Sequence, residues 1–191
     1  MFLRFRPSPL EIHAFIESSH TQPLSYEPVG IARTGCAGFQ LDHQETIIGR
    51  GRTALERAMA ALTEWEHFHL GWVEVFPARP AIAPGTVIAV LAQHLGFWSL
   101  NGCRVVYTIG QSNTDEFGFA YGTLDDHAER GEEIFKLSMR QDTGDVVYTI
   151  RAVSQPRALL ARIGFPIARS FQRRFRHDSA AELARRLAKE P

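Results

Sequence analysis

Gly96–Phe135, GFWSLNGCRVVYTIGQSNTDEFGFAYGTLDDHAERGEEIF, decides the fold. It carries two runs at strand spacing, 97–109 and 115–123, rich in β-branched and aromatic residues and separated by glycine- and aspartate-bearing breaks. Side chains alternate across a strand, so Phe117, Phe119, Tyr121 and Thr123 share one side, and Gly118, Ala120, Gly122 and Leu124 share the other. One side is bulky and the other nearly bare. The bare side must meet close-packed backbone, a helix or a ligand. In 97–109, Asn101, Cys103 and Tyr107 fall on one face and Trp98, Gly102 and Arg104 on the other. An arginine and an asparagine within a sheet are costly to bury without partners, which makes Arg104 and Asn101 candidate anchors for the polar end of a ligand. The competing reading pairs Arg104 with Glu116, Glu132 or Glu133 at the surface. Aromatics beside glycines leave volume that a filled core would not need, so the stretch reads as the wall of a pocket.

The same pattern extends outward. Segments 72–76, 86–93, 132–139 and 145–154 complete an antiparallel meander, and 39–48 reads as an earlier strand. Between that strand and the meander, Leu55, Ala58, Met59, Leu62 and Trp65 recur at helical spacing and predict an amphipathic helix. From Arg157 onward, Leu159, Ile163, Ile167, Phe171 and Phe175 stand four apart and predict a closing helix with one apolar stripe. Arg162, Arg169, Arg173 and Arg176 lie off the stripe, and Pro166 is expected to kink it. That stripe fits the sheet better than a membrane or RNA. The order of elements is α+β, with a curved antiparallel sheet wrapped around a long C-terminal helix and a cavity between them. Residues 1–38 read as an N-terminal extension, and 39–191 as a single domain. The extension opens with a short helix at 9–18, with Ser8 in the capping position, Pro9 first, and Leu10, His13, Ala14 and Glu17 at helical spacing. Pro23, Pro28, Gly30, Gly35 and Gly38 then interrupt the chain.

Composition narrows the class of function. The 191 residues are 45% hydrophobic and 22% charged, as in soluble globular proteins, and 21 basic residues balance 21 acidic ones. A neutral chain lacks the long-range attraction a dedicated nucleic-acid binder uses, although residues 157–191 hold nine Arg or Lys against Asp178, Glu182 and Glu190. Two cysteines, Cys36 and Cys103, cannot build a disulfide framework and fit a reducing compartment. The opening MFLRFRPSPLEIH is broken by Arg4, Arg6, Pro7 and Pro9 before any apolar run reaches signal-peptide length, so a cytoplasmic location is expected. Pro84–Leu100 is too polar and glycine-broken for a bilayer span, and no stable membrane insertion is expected.

Motifs of known chemistry are weak. Ile47–Ala54 matches a strand followed by G-x-G-x-x-A, the dinucleotide fingerprint, with Glu74 some 20 residues on. The consecutive strands that follow defeat it, leaving a strand-to-helix turn in which glycine supplies unusual backbone angles. Arg50 and Arg52 beside the helix start could hold an anion. His67 and His69 would share one face of a strand, and His127, Glu129 and Glu132 could add ligands. The set is incomplete, so metal is not expected and the histidines read as solvated loop residues. Cys103 sits within a strand and reads as a buried, inert thiol. No cofactor is implied.

Taken together, Gly49–Gly51, Leu70–Val73, Pro84–Val87, Trp98–Tyr107, Phe117–Leu124, His127 with Glu129, Gly131–Glu133, Gln172–Phe175 and Asp178–Ser179 resemble the family called domain of unknown function nineteen-ninety, over roughly residues 25–180. The resemblance implies a START-type helix-grip fold like that of birch-pollen-allergen-like lipid carriers and polyketide cyclases, whose members bind hydrophobic molecules between sheet and closing helix. It brings no catalytic residues with it. The expectation is a pocket for a small hydrophobic molecule lined by Trp98, Phe117, Phe119 and Tyr121, with Arg104, Asn101 and His127 as polar anchors. The alternative is a cyclase-, hydrolase- or isomerase-type enzyme using His127, Glu129, Glu132 or Tyr121 in acid–base work.

Overall fold

The computed structural model describes residues 1–111, 114–156 and 165–188, with side chains from Arg169 onward in the last segment. Strand β1 (Phe2–Leu3), helix α1 (Pro9–Ser19) and the short α2 (Ile31–Thr34) precede β2 (Gln40–Arg50) and α3 (Arg52–Thr63). A 3-10 turn at Glu66–Phe68 leads into β3 (Val73–Phe76), β4 (Val87–Gln93), β5 (Trp98–Gly110), β6 (Glu116–Thr123), β7 (Glu129–Met139) and β8 (Asp145–Pro156). Helix α4 (Phe165–Ala188) closes the chain. Among the described residues the strands form one antiparallel sheet in the order β2-β8-β7-β6-β5-β4-β3. The short β1 pairs with the start of β5, beyond the reach of β6. The sheet curls into a half-barrel around α4, the helix-grip arrangement.

Local chemistry explains the boundaries. Ser8 accepts from the Glu11 amide while Glu11 answers through the Ser8 amide, a reciprocal cap at the start of α1 with Pro9 in its first turn. Gly51, at φ +83°, turns β2 into α3 without strain, which is the role its motif needs here. Pro166 is the second described residue of α4, and the kink expected there, between 157–164 and the rest of the helix, lies outside the described residues. Of the predicted stripe, 157–164 and the Ile167 side chain lie outside the described residues. Phe171 and Phe175 face the core, and the stripe runs on through Ala180 and Leu183 to Leu187.

The principal core fills the space between the concave face of the sheet, α3, the 3-10 turn and α4. Leu55, Leu62, Trp65, Phe68, Phe119, Phe135, Tyr148 and Leu183 are each 0–1% exposed there. Trp65 follows the end of α3 in a left-handed conformation and donates its indole N–H to the Pro80 carbonyl, 2.8 Å away. The convex face is covered by the N-terminal segment. Ile12, Phe15 and Ile16 of α1 pack on Ala89, Leu91 and Leu100, while Leu10 is 79% exposed, so α1 buries a different face from the one its spacing suggested. Ala32 of α2 sits on Ala120 and Ile134. The bare side of β6 therefore meets a helix and a tyrosine. A Cβ added at Gly122 would stand 2.4 Å from the Tyr26 hydroxyl.

A β-bulge changes the reading of β5. Val105 pairs with Tyr121 but Tyr107 pairs with Ala120, so Val106 is an extra residue. The bulge puts Tyr107 on the convex face, opposite to Asn101 and Cys103, with which simple alternation grouped it.

Candidate functional site

Between the sheet's concave face and α4 lies a cavity of about 810 Å3. Its apolar walls come from Phe68, Trp72 and Val90 on one side and Phe171 and Phe175 of α4 on the other. Its polar residues cluster where β6, β7 and α4 approach one another.

Glu133 and Tyr121 are paired across β7 and β6, so both project to the same side of the sheet. The Tyr121 hydroxyl donates to Glu133 Oε2 at 2.7 Å. Glu133 is partly buried and lines the cavity. Burial pushes its carboxyl up to about 7. The Tyr121 hydrogen bond and the Arg176 charge oppose the rise, while Glu129 and Asp42 reinforce it. Glu129, earlier on the same strand and the same face, receives the Gln172 amide on both oxygens at 2.8 and 2.7 Å. Burial raises it too, against a hydrogen bond from Ser154 and the charge of Arg169. Behind them, Asp42 of β2 binds Arg169, whose Nη2 donates to Oδ1 at 2.6 Å, and faces Arg176 at 3.5 Å. Burial alone would raise Asp42, but the Arg169 hydrogen bond and the charges of Arg176, Arg169 and Arg173 outweigh it and hold the carboxyl below its usual range.

The mouth is aromatic. Phe2 meets Phe97 edge to face at 5.8 Å, Phe97 stacks on His94 at 4.9 Å, and His94 meets Phe171 of α4 at 4.7 Å. Leu95, at the tip of the β4–β5 hairpin, is 80% exposed. His94 contacts Ser99 Oγ at 2.7 Å, and Ser99 accepts from Asn101 Nδ2 at 3.1 Å. Burial lowers the His94 imidazole below its ordinary value.

The sequence-derived candidates divide. Asn101, Tyr121 and His127 line the cavity, and His127 Nδ1 accepts from the Glu129 amide at 2.9 Å. Trp98 lies on the convex face against α1, with the Arg6 guanidinium 5.2 Å over its ring. Arg104 points the same way and donates to the carbonyls of His20 and Gln22 at 3.0 and 2.9 Å, not to a ligand and not to Glu116, Glu132 or Glu133. Phe119 is consumed by the core, 4.6 Å from Trp65, and Phe117 packs at the edge of that core. Glu132 turns away from the cavity to the convex face. It accepts from the hydroxyls of Tyr26 (2.7 Å) and Tyr107 (2.6 Å) and from the amides of Gly30 (2.7 Å) and Ala32 (3.2 Å).

Glu133, Gln172, Arg176, Trp72 and His94 were missed as site residues. One signal was available for Glu133. Adjacent glutamates in one strand must face opposite sides, so Glu132–Glu133 placed one carboxylate on the concave face whichever register held.

Other motifs resolve simply. His67 belongs to the 3-10 turn, not a strand, and is wholly buried among Trp65, Phe68, Phe119, Phe135 and Tyr148, with neither ring nitrogen hydrogen-bonded. Burial pushes its imidazole down to about 3, so it stays neutral. His69 is on the surface beside Glu66 at 2.8 Å. Among the described residues no group of His, Cys, Asp and Glu is arranged to hold a metal. Cys103 is fully buried, and burial pushes its thiol well up, as expected for an inert thiol. Arg50 donates to the Thr143 carbonyl at 2.7 Å and Arg52 pairs with Asp115, so both are engaged by the chain itself. No helix among the described residues is long and apolar enough to cross a membrane.

Comparison with known proteins agrees with this architecture. A "UPF0548 protein" of Dictyostelium discoideum is 34% identical over 156 residues, 77% of this chain and 72% of the relative. A "UPF0548 protein" of Deinococcus radiodurans is 32% identical over 199 residues, 97% of this chain and 98% of the relative. A crystal structure of a protein from Thermus thermophilus superimposes with a TM-score of 0.56 at 12% identity, over 78% of this chain and 97% of that one, a likeness of fold alone. The sequence model for the family described as "Domain of unknown function (DUF1990)" matches residues 25–182, which reach from the segment covering the convex face well into α4, and the chain belongs to that family.

Proposed function

We propose that this protein binds a small hydrophobic or amphipathic molecule in the cavity between the sheet and α4. One observation carries the reading. A space of about 810 Å3 with apolar walls is left open beside a densely filled core, within the range of roughly 300–1,000 Å3 common for small-molecule sites. Phe171 and Phe175 supply wall area, and the hydrogen-bonded pair of Glu133 and Tyr121 fixes one end of the occupant. Cys36 and Cys103, both free thiols, suit a cytoplasmic carrier. Native mass spectrometry of freshly purified protein is expected to show a retained small molecule or, after delipidation, uptake of an apolar fluorescent probe. Protein that retains nothing and leaves the probe dark would refute the proposal.

A second reading has its own observation. Tyr121 and Glu133 meet at 2.7 Å inside the cavity, and a carboxyl that titrates near neutrality can both take and return a proton. Under this reading Glu133 is the acid–base residue and Tyr121 orients it. Glu133→Gln would then keep the bound molecule intact while wild type converts it. Equal fates in the two proteins exclude this reading.

A further inference from the structure

The charges around the cavity say more about its occupant. Around the cavity the charges of Arg169, Arg173 and Arg176 act on the carboxylates Asp42, Glu129 and Glu133, but among the described residues only Arg169 and Arg176 touch one, and that one is Asp42. Asp42 takes both arginines, and Glu129 has both oxygens covered by Gln172. Glu133 has no ion-pair partner among the described residues. Its Oε2 accepts from the Tyr121 hydroxyl, and its Oε1 has no hydrogen bond among the described residues. Arg176 acts on Glu133 only from a distance, a desolvated carboxylate with no cation in contact is costly, and a bound molecule can supply one.

Resting on the binding function proposed above, we infer that the occupant is an apolar amine, whose ammonium group is received by Glu133 at the polar end of the cavity while its hydrocarbon lies between Trp72, Phe171 and Phe175. The chemistry is complementary at both ends. An ammonium offers donors and no acceptor, which suits Oε1 of Glu133. A carboxylate ligand would add a further negative charge beside Glu129 and Glu133. The other ionisable groups near Glu133 do not change the balance. The Tyr148 hydroxyl is shared with Ser179 at 3.0 Å, and the Cys103 thiol and the Tyr121 hydroxyl are held protonated by burial.

Three probes with one tail test this: phenylbutylamine, phenylbutanol and phenylbutyrate, titrated calorimetrically into wild type, Glu133→Gln and Tyr121→Phe at pH 8 and pH 6. The amine is expected to bind at least about tenfold tighter than the alcohol, the advantage of a charge-assisted over a neutral hydrogen bond. That preference should disappear in Glu133→Gln and persist in Tyr121→Phe, which keeps the carboxylate. Because the ionised carboxylate is the binding form, a group titrating at about 7 weakens amine binding about tenfold from pH 8 to pH 6, with the alcohol unchanged. Phenylbutyrate binding as tightly as the amine, or an amine preference that survives in Glu133→Gln, would overturn the inference while leaving the cavity a binding site. Failure of all three probes to bind would strike at the binding function itself.

Discussion

Replacing Glu133 by glutamine should make the protein more stable, and more so the higher the pH. The carboxyl titrates at about 7 in the folded state and near its ordinary 4.5 in the unfolded chain. The folded state therefore holds this proton more tightly. The stabilisation it confers is fully present below pH 4.5 and is lost as pH rises through about 7. Above that, keeping an ionised Glu133 inside the fold costs at most about 3 kcal/mol, from a shift of roughly two and a half units at about 1.36 kcal/mol each. Water entering the cavity screens part of this, which brings the expected penalty to about 2 kcal/mol. Glutamine keeps the shape and can still accept the Tyr121 hydrogen bond, but carries no charge. Urea unfolding of both proteins at unit steps from pH 5 to pH 8 measures the difference directly. The variant should lie closest to wild type at pH 5 and exceed it by about 2 kcal/mol at pH 8. Two curves that run parallel across the range would refute the reasoning, because a constant offset is not the signature of a titrating group.

Three further outcomes follow from described contacts. His67→Leu removes two orphaned ring nitrogens from an aromatic cluster and should raise stability by about 1 kcal/mol, read as an increase in thermal midpoint. Glu132→Ala strips four hydrogen bonds from the convex face and should cost on the order of 3–5 kcal/mol, with amide exchange accelerating selectively over residues 24–34. Asp42→Asn takes from Arg169 and Arg176 the carboxylate they share and should cost about 2 kcal/mol in chemical denaturation, a loss fully present above pH 3.8 and shrinking as pH falls below it.

The strands and α3 were legible because their signals are local. Alternation along 115–123 and the Leu55–Leu62 spacing each need a few neighbouring residues to be read, and each element lies within three residues of its expected bounds. What was not legible depended on a single inserted residue or on a distant partner. Val106 bulges out of β5 and reverses the face of Tyr107, and nothing in VVYT announces it. Trp98 and Arg104 were placed on one face correctly, but that face is convex, and only the N-terminal segment packed against it reveals which side is which. His67 looked like a solvated loop residue because burying an imidazole with no partner runs against general expectation; the aromatic cluster that encloses it is assembled from four separate parts of the chain.

The Glu132 tie also sets an order of events during synthesis. Its carboxylate joins Tyr26, Gly30 and Ala32 across 100 to 106 residues of sequence. The segment at 24–34 leaves the ribosome with nothing to grip. At about 5–20 residues per second it waits on the order of 5–20 s before its partner strand is made. Through that interval Ile31 and Ala32, later fully enclosed, are open to chaperones and proteases. Ribosome-held chains stopped short of residue 129 should therefore be cut within 24–34 by a protease that spares the same bonds in the released protein.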